Sequence, residues 1–104
     1  MFRLRDLCMK DYNINLPDDF YEHAWEIELK GCFEIDVQIA GNVYTFNFYD
    51  PIRLNQTVED DLHSSQYFFY ENMVVLPSVN IENIKKFIED VIDTPYILSF
   101  AIKR

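Results

Sequence analysis

The chain has 104 residues, of which 49% are hydrophobic and 16% aromatic, with only two glycines and four prolines. This length suits one domain around one core, and the composition excludes a disordered tail or a low-complexity linker. Eighteen acidic against nine basic side chains give a formal charge of -9, which opposes binding to nucleic-acid phosphates and favours a cation or a basic protein. We therefore expect a single domain over residues 1–104 and no nucleic-acid partner.

The first ten residues contain too many charged side chains for the apolar segment of a secretory signal. No apolar stretch approaches the roughly 18 to 20 residues that span a bilayer, so we expect a cytoplasmic protein with no membrane contact. Cys8 and Cys32 are interpreted as reduced thiols, because two cysteines do not make a disulfide framework. Phe2 and Leu4 suit an edge strand, and Pro17 suits the start of a helical turn.

Apolar and polar side chains alternate from Trp25 to Ile39, and a period of two predicts extended strand. Gly31 interrupts this series. It marks either a bend in one long strand or the turn between two strands, and the sequence leaves both alternatives open.

Gly41 and Asn42 form a two-residue turn signal, which predicts a hairpin over residues 33–49 in which Ile39 pairs with Tyr44. The apolar side chains of both strands then share one face: Ile35, Val37, Ile39, Tyr44, Phe46 and Phe48. The polar side chains share the other face: Glu34, Asp36, Gln38, Thr45, Asn47 and Tyr49. One buried and one wet face is typical of an antiparallel sheet covered on one side.

After Pro51 the apolar residues Leu54, Val58 and Leu62 lie four apart, which predicts a short amphipathic helix. Residues 67–76 are rich in aromatic and β-branched side chains and predict a further strand, with a kink near residue 71. The strand begins with four successive aromatic residues. Because alternate side chains of a strand point to opposite faces, two of these rings must point away from the core, toward a helix, a loop or a partner.

Asn80 is a suitable N-cap for a helix whose apolar stripe runs to Ile92 and which stops before Pro95. Residues 96–102 alternate again and predict a closing strand. The elements together predict the α+β class. We expect a single layer of mostly antiparallel sheet, made of the hairpin and the strands near 67–76 and 96–102, with two helices packed on one face.

The candidate catalytic groups are few. Asp19 with His23, and Glu59 with His63, lie four residues apart, so each pair shares a face of a helix. Neither segment supplies a third histidine or a cysteine at useful spacing, and no nucleophile motif or phosphate-binding loop is present. We therefore predict no catalytic residue, no metal and no cofactor; a hydrolase that uses one of the carboxylate–histidine pairs is an alternative.

Charge placement is more informative than total charge. Between residues 11 and 82, fourteen acids accompany two bases, a net -12 over 72 residues, while the flanks carry +2 and +1. Solubility explains such a surplus, and so does an anionic surface for a cationic partner. The residues predicted to bind the partner lie on the polar sheet face and on the helix after Pro51. They are Glu26, Glu28, Glu34, Asp36, Tyr49, Glu59, Asp60 and Asp61.

From residue 44 to residue 92, the order of elements around FYDPIRL (48–54) and ENMVV (71–75), followed by an isoleucine-rich helix, resembles small immunity proteins of bacterial contact-dependent growth inhibition and polymorphic toxin systems. The resemblance implies a cytoplasmic protein that binds a cognate toxin domain and blocks its active site. The acidic surface makes a basic nuclease the expected toxin. A homodimeric adaptor that pairs an open sheet edge is the alternative, and the oligomeric state stays open.

Overall fold

The computed structural model describes residues 12–103, so the edge strand predicted at Phe2 and Leu4 lies outside the described residues. The described elements follow in chain order: β1 (Tyr12–Ile14), α1 (Phe20–Lys30), β2 (Cys32–Ile39), β3 (Asn42–Tyr49), α2 (Pro51–Ser65), β4 (Met73–Val75), α3 (Ile81–Val91) and a 3-10 helix (Pro95–Ser99). The predicted α+β class is confirmed.

The four strands form one sheet in the order β1-β2-β3-β4. The first three are antiparallel, and β4 runs parallel to β3, so the sheet is mostly antiparallel, as predicted. Among residues 12–103, every helix is too short or too polar to traverse a lipid bilayer.

The central hairpin forms with the predicted faces but a different turn. Ile39 pairs with Asn42 rather than with Tyr44, because the turn is made by Ala40 and Gly41, whose φ angles are 51° and 86°. Two successive positive φ values give the turn whose twist matches a hairpin. The register therefore differs from the prediction by two residues, and a shift of two leaves every side chain on its predicted face.

The core lies on the apolar face of this hairpin. α3 covers it with Ile84, Ile88 and Val91, which are buried. Phe46 at the centre of the sheet is fully buried and contacts the ring of Phe87, with centroids 5.4 Å apart. The second helix on this core is α1, which packs against it through Ile27 and contacts Phe33 of β2 through Phe20.

The strand predicted from residue 25 onward is wrong in its first half, because residues 25–30 complete α1. The helix ends at Gly31, which has φ 77° and donates its N–H to the Ile27 carbonyl at 3.0 Å. A left-handed residue at this position terminates a helix, and glycine adopts it without steric cost. Trp25 and Leu29, which the alternation placed on the core face, are 61% and 77% exposed.

The helix predicted after Pro51 is α2, and it is longer than the apolar spacing indicated. Asp50 caps it by accepting a hydrogen bond from the Arg53 N–H at 2.7 Å, and Gln66 ends it in a left-handed conformation. None of its side chains is buried. Leu54, Thr57, Val58 and Asp61 share one side of the helix and are half-buried, but α2 contributes no side chain to the hydrophobic core.

The C-terminal region differs most from its prediction. Residues 96–102 form no strand, because Pro95 starts a 3-10 helix that the Thr94 side chain caps by accepting from the Tyr96 N–H. The strand expected over 67–76 is reduced to β4, since the chain turns just before it at Asn72, whose φ is 55°.

The segment after the 3-10 helix lies along the first part of β3, which β4 leaves unpaired. Lys103 donates its N–H to the Val43 carbonyl at 2.6 Å. The Asn72 side chain donates to the carbonyls of Thr45 and Ala101, at 3.1 and 2.9 Å, and accepts from the Ala101 N–H at 2.8 Å. A side-chain amide thus replaces part of a strand in holding this segment to the sheet.

α1 and α2 meet at one end of the sheet, where Asp50 donates its N–H to the Gly31 carbonyl at 2.8 Å. The Gly31 α-carbon lies so close to the Asp50 side chain that a β-carbon there would overlap the carboxylate. Because the same carboxylate caps α2, it cannot move away without losing the cap. We call this contact the Gly31–Asp50 joint.

We expect Gly31→Ala to lower the free energy of unfolding by about 2 kcal/mol or more, because about 1 kcal/mol of left-handed strain adds to about 1 kcal/mol of lost capping. Chemical denaturation measures this loss. Gly41→Ala is the matched control, since Gly41 also has positive φ but no atom within 4 Å of an added β-carbon, so only the strain remains. In an Asp50→Ala background, Gly31→Ala should cost less; equal costs in both backgrounds would contradict the joint.

Candidate partner-binding surfaces

The structure separates the four acidic residues that were predicted to share the polar sheet face. Glu34 and Asp36 lie on β2, whereas Glu26 and Glu28 lie on α1. The prediction failed for Glu26 and Glu28 because the alternation before Gly31 belongs to a helix. The sheet therefore does not present four clustered carboxylates.

Asp36 is neutralised by the chain itself. Its Oδ2 lies 2.8 Å from Lys103 Nζ, and its Oδ1 accepts from Thr45 Oγ1 at 2.6 Å. The bond from Lys103, and then that from Thr45, lower the pKa of Asp36, and the same pair raises the pKa of Lys103. No local pattern predicts a partner 67 residues away in sequence. Glu34 is the carboxylate of β2 left exposed to solvent.

Tyr49, predicted as a partner contact, is only 8% exposed. It occupies the polar face, opposite Phe48, but the Tyr70 ring packs against it with centroids 6.1 Å apart. Burial is the main cause that raises the pKa of Tyr49. The aromatic segment after α2 therefore covers this part of the sheet, and Tyr49 is a packing residue in the isolated chain.

The three acids of α2 keep the positions predicted for them. Glu59 and Asp60 are exposed, and Asp61 is half-buried. Asn55 Nδ2 donates to Glu59 Oε1 at 3.3 Å. Within the described part of the chain, no lysine or arginine forms an ion pair with any of the three acids. Their negative charge is therefore uncompensated at short range by these residues.

α2 also exposes apolar side chains. Ile52 is 74% exposed and Leu62 49%. The aromatic run lies outside any strand, so the alternation predicted for its rings does not apply; Tyr67, Phe69 and Tyr70 are 68%, 76% and 41% exposed. The exposed apolar side chains of α2 and of the segment after it are thus available for contact with another molecule.

α1 presents a second exposed surface, which the predicted strand had hidden. Tyr21, Trp25 and Leu29 lie four residues apart and are 66%, 61% and 77% exposed. We call these three side chains the α1 stripe. The sequence did contain a signal for this helix, because Tyr21, Trp25 and Leu29 are spaced by four and Gly31 follows them. The period-two alternation that begins at Trp25 favoured a strand instead.

The carboxylate–histidine pairs differ in geometry. His23 lies between Asp19 and Glu26, at 3.5 and 3.4 Å, and all three side chains are more than half exposed. Glu59 instead accepts its hydrogen bond from Asn55, one turn before it and away from His63. Across residues 12–103, no three His, Cys, Asp or Glu side chains come together in a way that could hold a metal ion.

Two helices, α1 and α2, thus carry the exposed apolar side chains and acids of this end of the molecule, and they meet at the Gly31–Asp50 joint. No known protein family, curated protein or solved structure matches this chain. The charges and apolar side chains of these helices are therefore the observations that bear on function.

The Asp36–Lys103 pair makes stability depend on pH. Because folding lowers the Asp36 pKa below its unfolded value of about 3.9, the pair stabilises the fold above that value and loses its effect as pH falls through the lower, folded pKa. We expect Asp36→Asn to lower the urea midpoint at pH 7, with a difference that shrinks below about pH 4. Asp60→Asn, at an exposed acid with no cationic partner among residues 12–103, should show little difference throughout. A constant effect of Asp36→Asn at every pH would contradict the pairing.

Proposed function

We propose that this chain is an immunity protein that binds a basic toxin domain, a nuclease, and neutralises it through α2. The observation that supports this function is a capped 15-residue helix with no buried side chain and three consecutive acids, none of them paired with a cation of the described residues. A helix whose acids have no cationic partner among the described residues is suited to a partner of the opposite charge.

The physical logic follows from the chemistry of a nuclease. Its active-site groove must attract phosphate with lysine and arginine, so carboxylates on α2 can occupy the same positions as phosphates. Complementary potentials also accelerate encounter, which matters for an inhibitor that must bind before its target reaches nucleic acid. Glu59 and Asp60 are exposed to solvent and would make these contacts without any rearrangement of the core.

Apolar contact area adjoins these charges. Tyr67 and Phe69 follow the C-terminal end of α2, and both are largely exposed. Tyrosine is enriched among the residues that dominate binding energy, because its ring buries a large area and its hydroxyl forms hydrogen bonds. The carboxylates would thus accelerate association with the toxin domain, and the aromatic side chains would contribute buried contact area to the complex.

The test uses the protein encoded by the gene next to the one for this chain, which the proposal expects to contain a toxin domain, produced in cells with and without this chain. We expect the wild-type chain to restore growth, and Glu59→Gln/Asp60→Asn/Asp61→Asn to weaken binding by about tenfold or more, because three charge contacts are lost together. Titration at several salt concentrations should show a shallower salt dependence for this variant.

A control variant removes the same number of negative charges at positions outside α2. Glu34→Gln/Glu71→Gln/Glu82→Gln alters three exposed acids outside α2, including the exposed acid of β2. This variant should bind nearly as well as wild type. Equal weakening by both variants would indicate that total charge, rather than α2, governs the interaction, and no weakening by either would remove the electrostatic basis of the proposal.

A further inference from the structure

The side chains of the α1 stripe are not buried in the folded chain. α1 is held to the protein by its opposite side, where Phe20 is 2% exposed and Ile27 packs on the core. Tyr21, Trp25 and Leu29 are all more than 60% exposed. Two turns of this helix thus present a continuous apolar ridge, about 12 Å long at 1.5 Å per residue, to solvent.

Acidic side chains border the ridge on both sides. At about 100° per residue, Glu22 and Glu28 lie about 60° to either side of the centre of the stripe. Lys30 is the single lysine of α1, which has no arginine, and it lies on a different side of the helix. Glu28 Oε2 accepts from Asn80 Nδ2 at 3.1 Å, which ties that border to the start of α3. The apolar ridge is therefore edged by carboxylates and by no lysine or arginine of α1.

We propose that the α1 stripe docks a basic amphipathic helix of a partner protein. The apolar side of that helix would cover Tyr21, Trp25 and Leu29, and its flanking lysines or arginines would pair with Glu22 and Glu28. This pattern disfavours a second copy of the chain, because a symmetric contact would bring like charges together. It disfavours an anionic membrane surface for the same reason.

This inference goes beyond the proposed function, since it assigns a second surface and does not require the α2 acids. The Gly31–Asp50 joint places the end of α1 beside the start of α2, so one partner is able to contact both helices. The two surfaces can nevertheless be tested separately, because their acids and apolar side chains do not overlap.

Trp25 is the only tryptophan of the chain, so its fluorescence reports on the stripe directly. The probe is a synthetic helical peptide of leucine and lysine, compared with a peptide in which glutamate replaces every lysine. With the full-length chain, we expect the lysine peptide to shift Trp25 emission to shorter wavelength and to protect it from acrylamide quenching. The glutamate peptide should do neither.

Two variants distinguish binding at the α1 stripe from a general attraction between an acidic protein and a basic peptide. Tyr21→Ser/Leu29→Ser keeps the Trp25 probe and should weaken binding by about tenfold or more. Tyr96→Ser/Leu98→Ser removes the same two residue types where they are 71% and 83% exposed, in the 3-10 helix, and should weaken it less than about twofold.

The charged border is tested by Glu22→Gln/Glu28→Gln, which should weaken binding of the lysine peptide and flatten its salt dependence. Glutamine at position 28 retains an oxygen that can accept the hydrogen bond from Asn80. Circular dichroism and the unfolding midpoint of this variant should therefore match those of the wild type.

Four results would overturn the proposal. Trp25 already shielded from acrylamide in the dilute free chain would show that the chain covers its own stripe, and shielding that grows with protein concentration would show a second copy. Equal binding of the two peptides, or unchanged binding by Tyr21→Ser/Leu29→Ser, would show that the stripe and its acids do not select the ligand. None of these results bears on toxin binding through α2, which the growth assay measures independently.

Discussion

Phe46 is fully buried at the centre of the sheet, with its ring 5.4 Å from that of Phe87 on α3 and 5.1 Å from that of Phe100. This contact joins the hairpin, the last α-helix and the C-terminal segment, which come from distant parts of the sequence. Aromatic rings meeting edge to face contribute large buried areas together with a preferred geometry. With the hairpin face covered in this way, the core is complete without α2 and without the outer side of α1.

The different roles of the helices follow from that packing. α3 has a strongly one-sided apolar pattern that is buried in the core, whereas α2 exposes Ile52 and Leu62 and α1 exposes Trp25. Single exposed apolar side chains are ordinary in soluble proteins, whereas several such side chains beside exposed acids on two adjoining helices are less common. The proposed binding surfaces therefore lie on α1 and α2 rather than on the polar face of the sheet, where Asp36 is already paired.

Local patterns predicted those elements that local physics decides. The hairpin faces, the helix capped by Asn80 and the helix after Pro51 follow from side-chain period and capping chemistry. The assignment of residues 25–30 failed because both periods fit that short segment, and the position of Gly31 at a helix end was needed to choose. Long-range features had no local signature. Lys103 reaches Asp36 from the far end of the chain, so the sequence alone did not reveal which acids have an internal cationic partner.

Lys103 performs two tasks with different groups of one residue. Its backbone N–H donates a hydrogen bond to the Val43 carbonyl on β3, and its ammonium group forms an ion pair with the Asp36 carboxylate on β2. The two contacts are consequently linked. If this segment left the sheet, the Val43 carbonyl and the Asp36 carboxylate would both become exposed to solvent. The segment around Lys103 thus covers part of the backbone edge of β3, and unpaired strand edges are the parts of a sheet through which separate chains can pair.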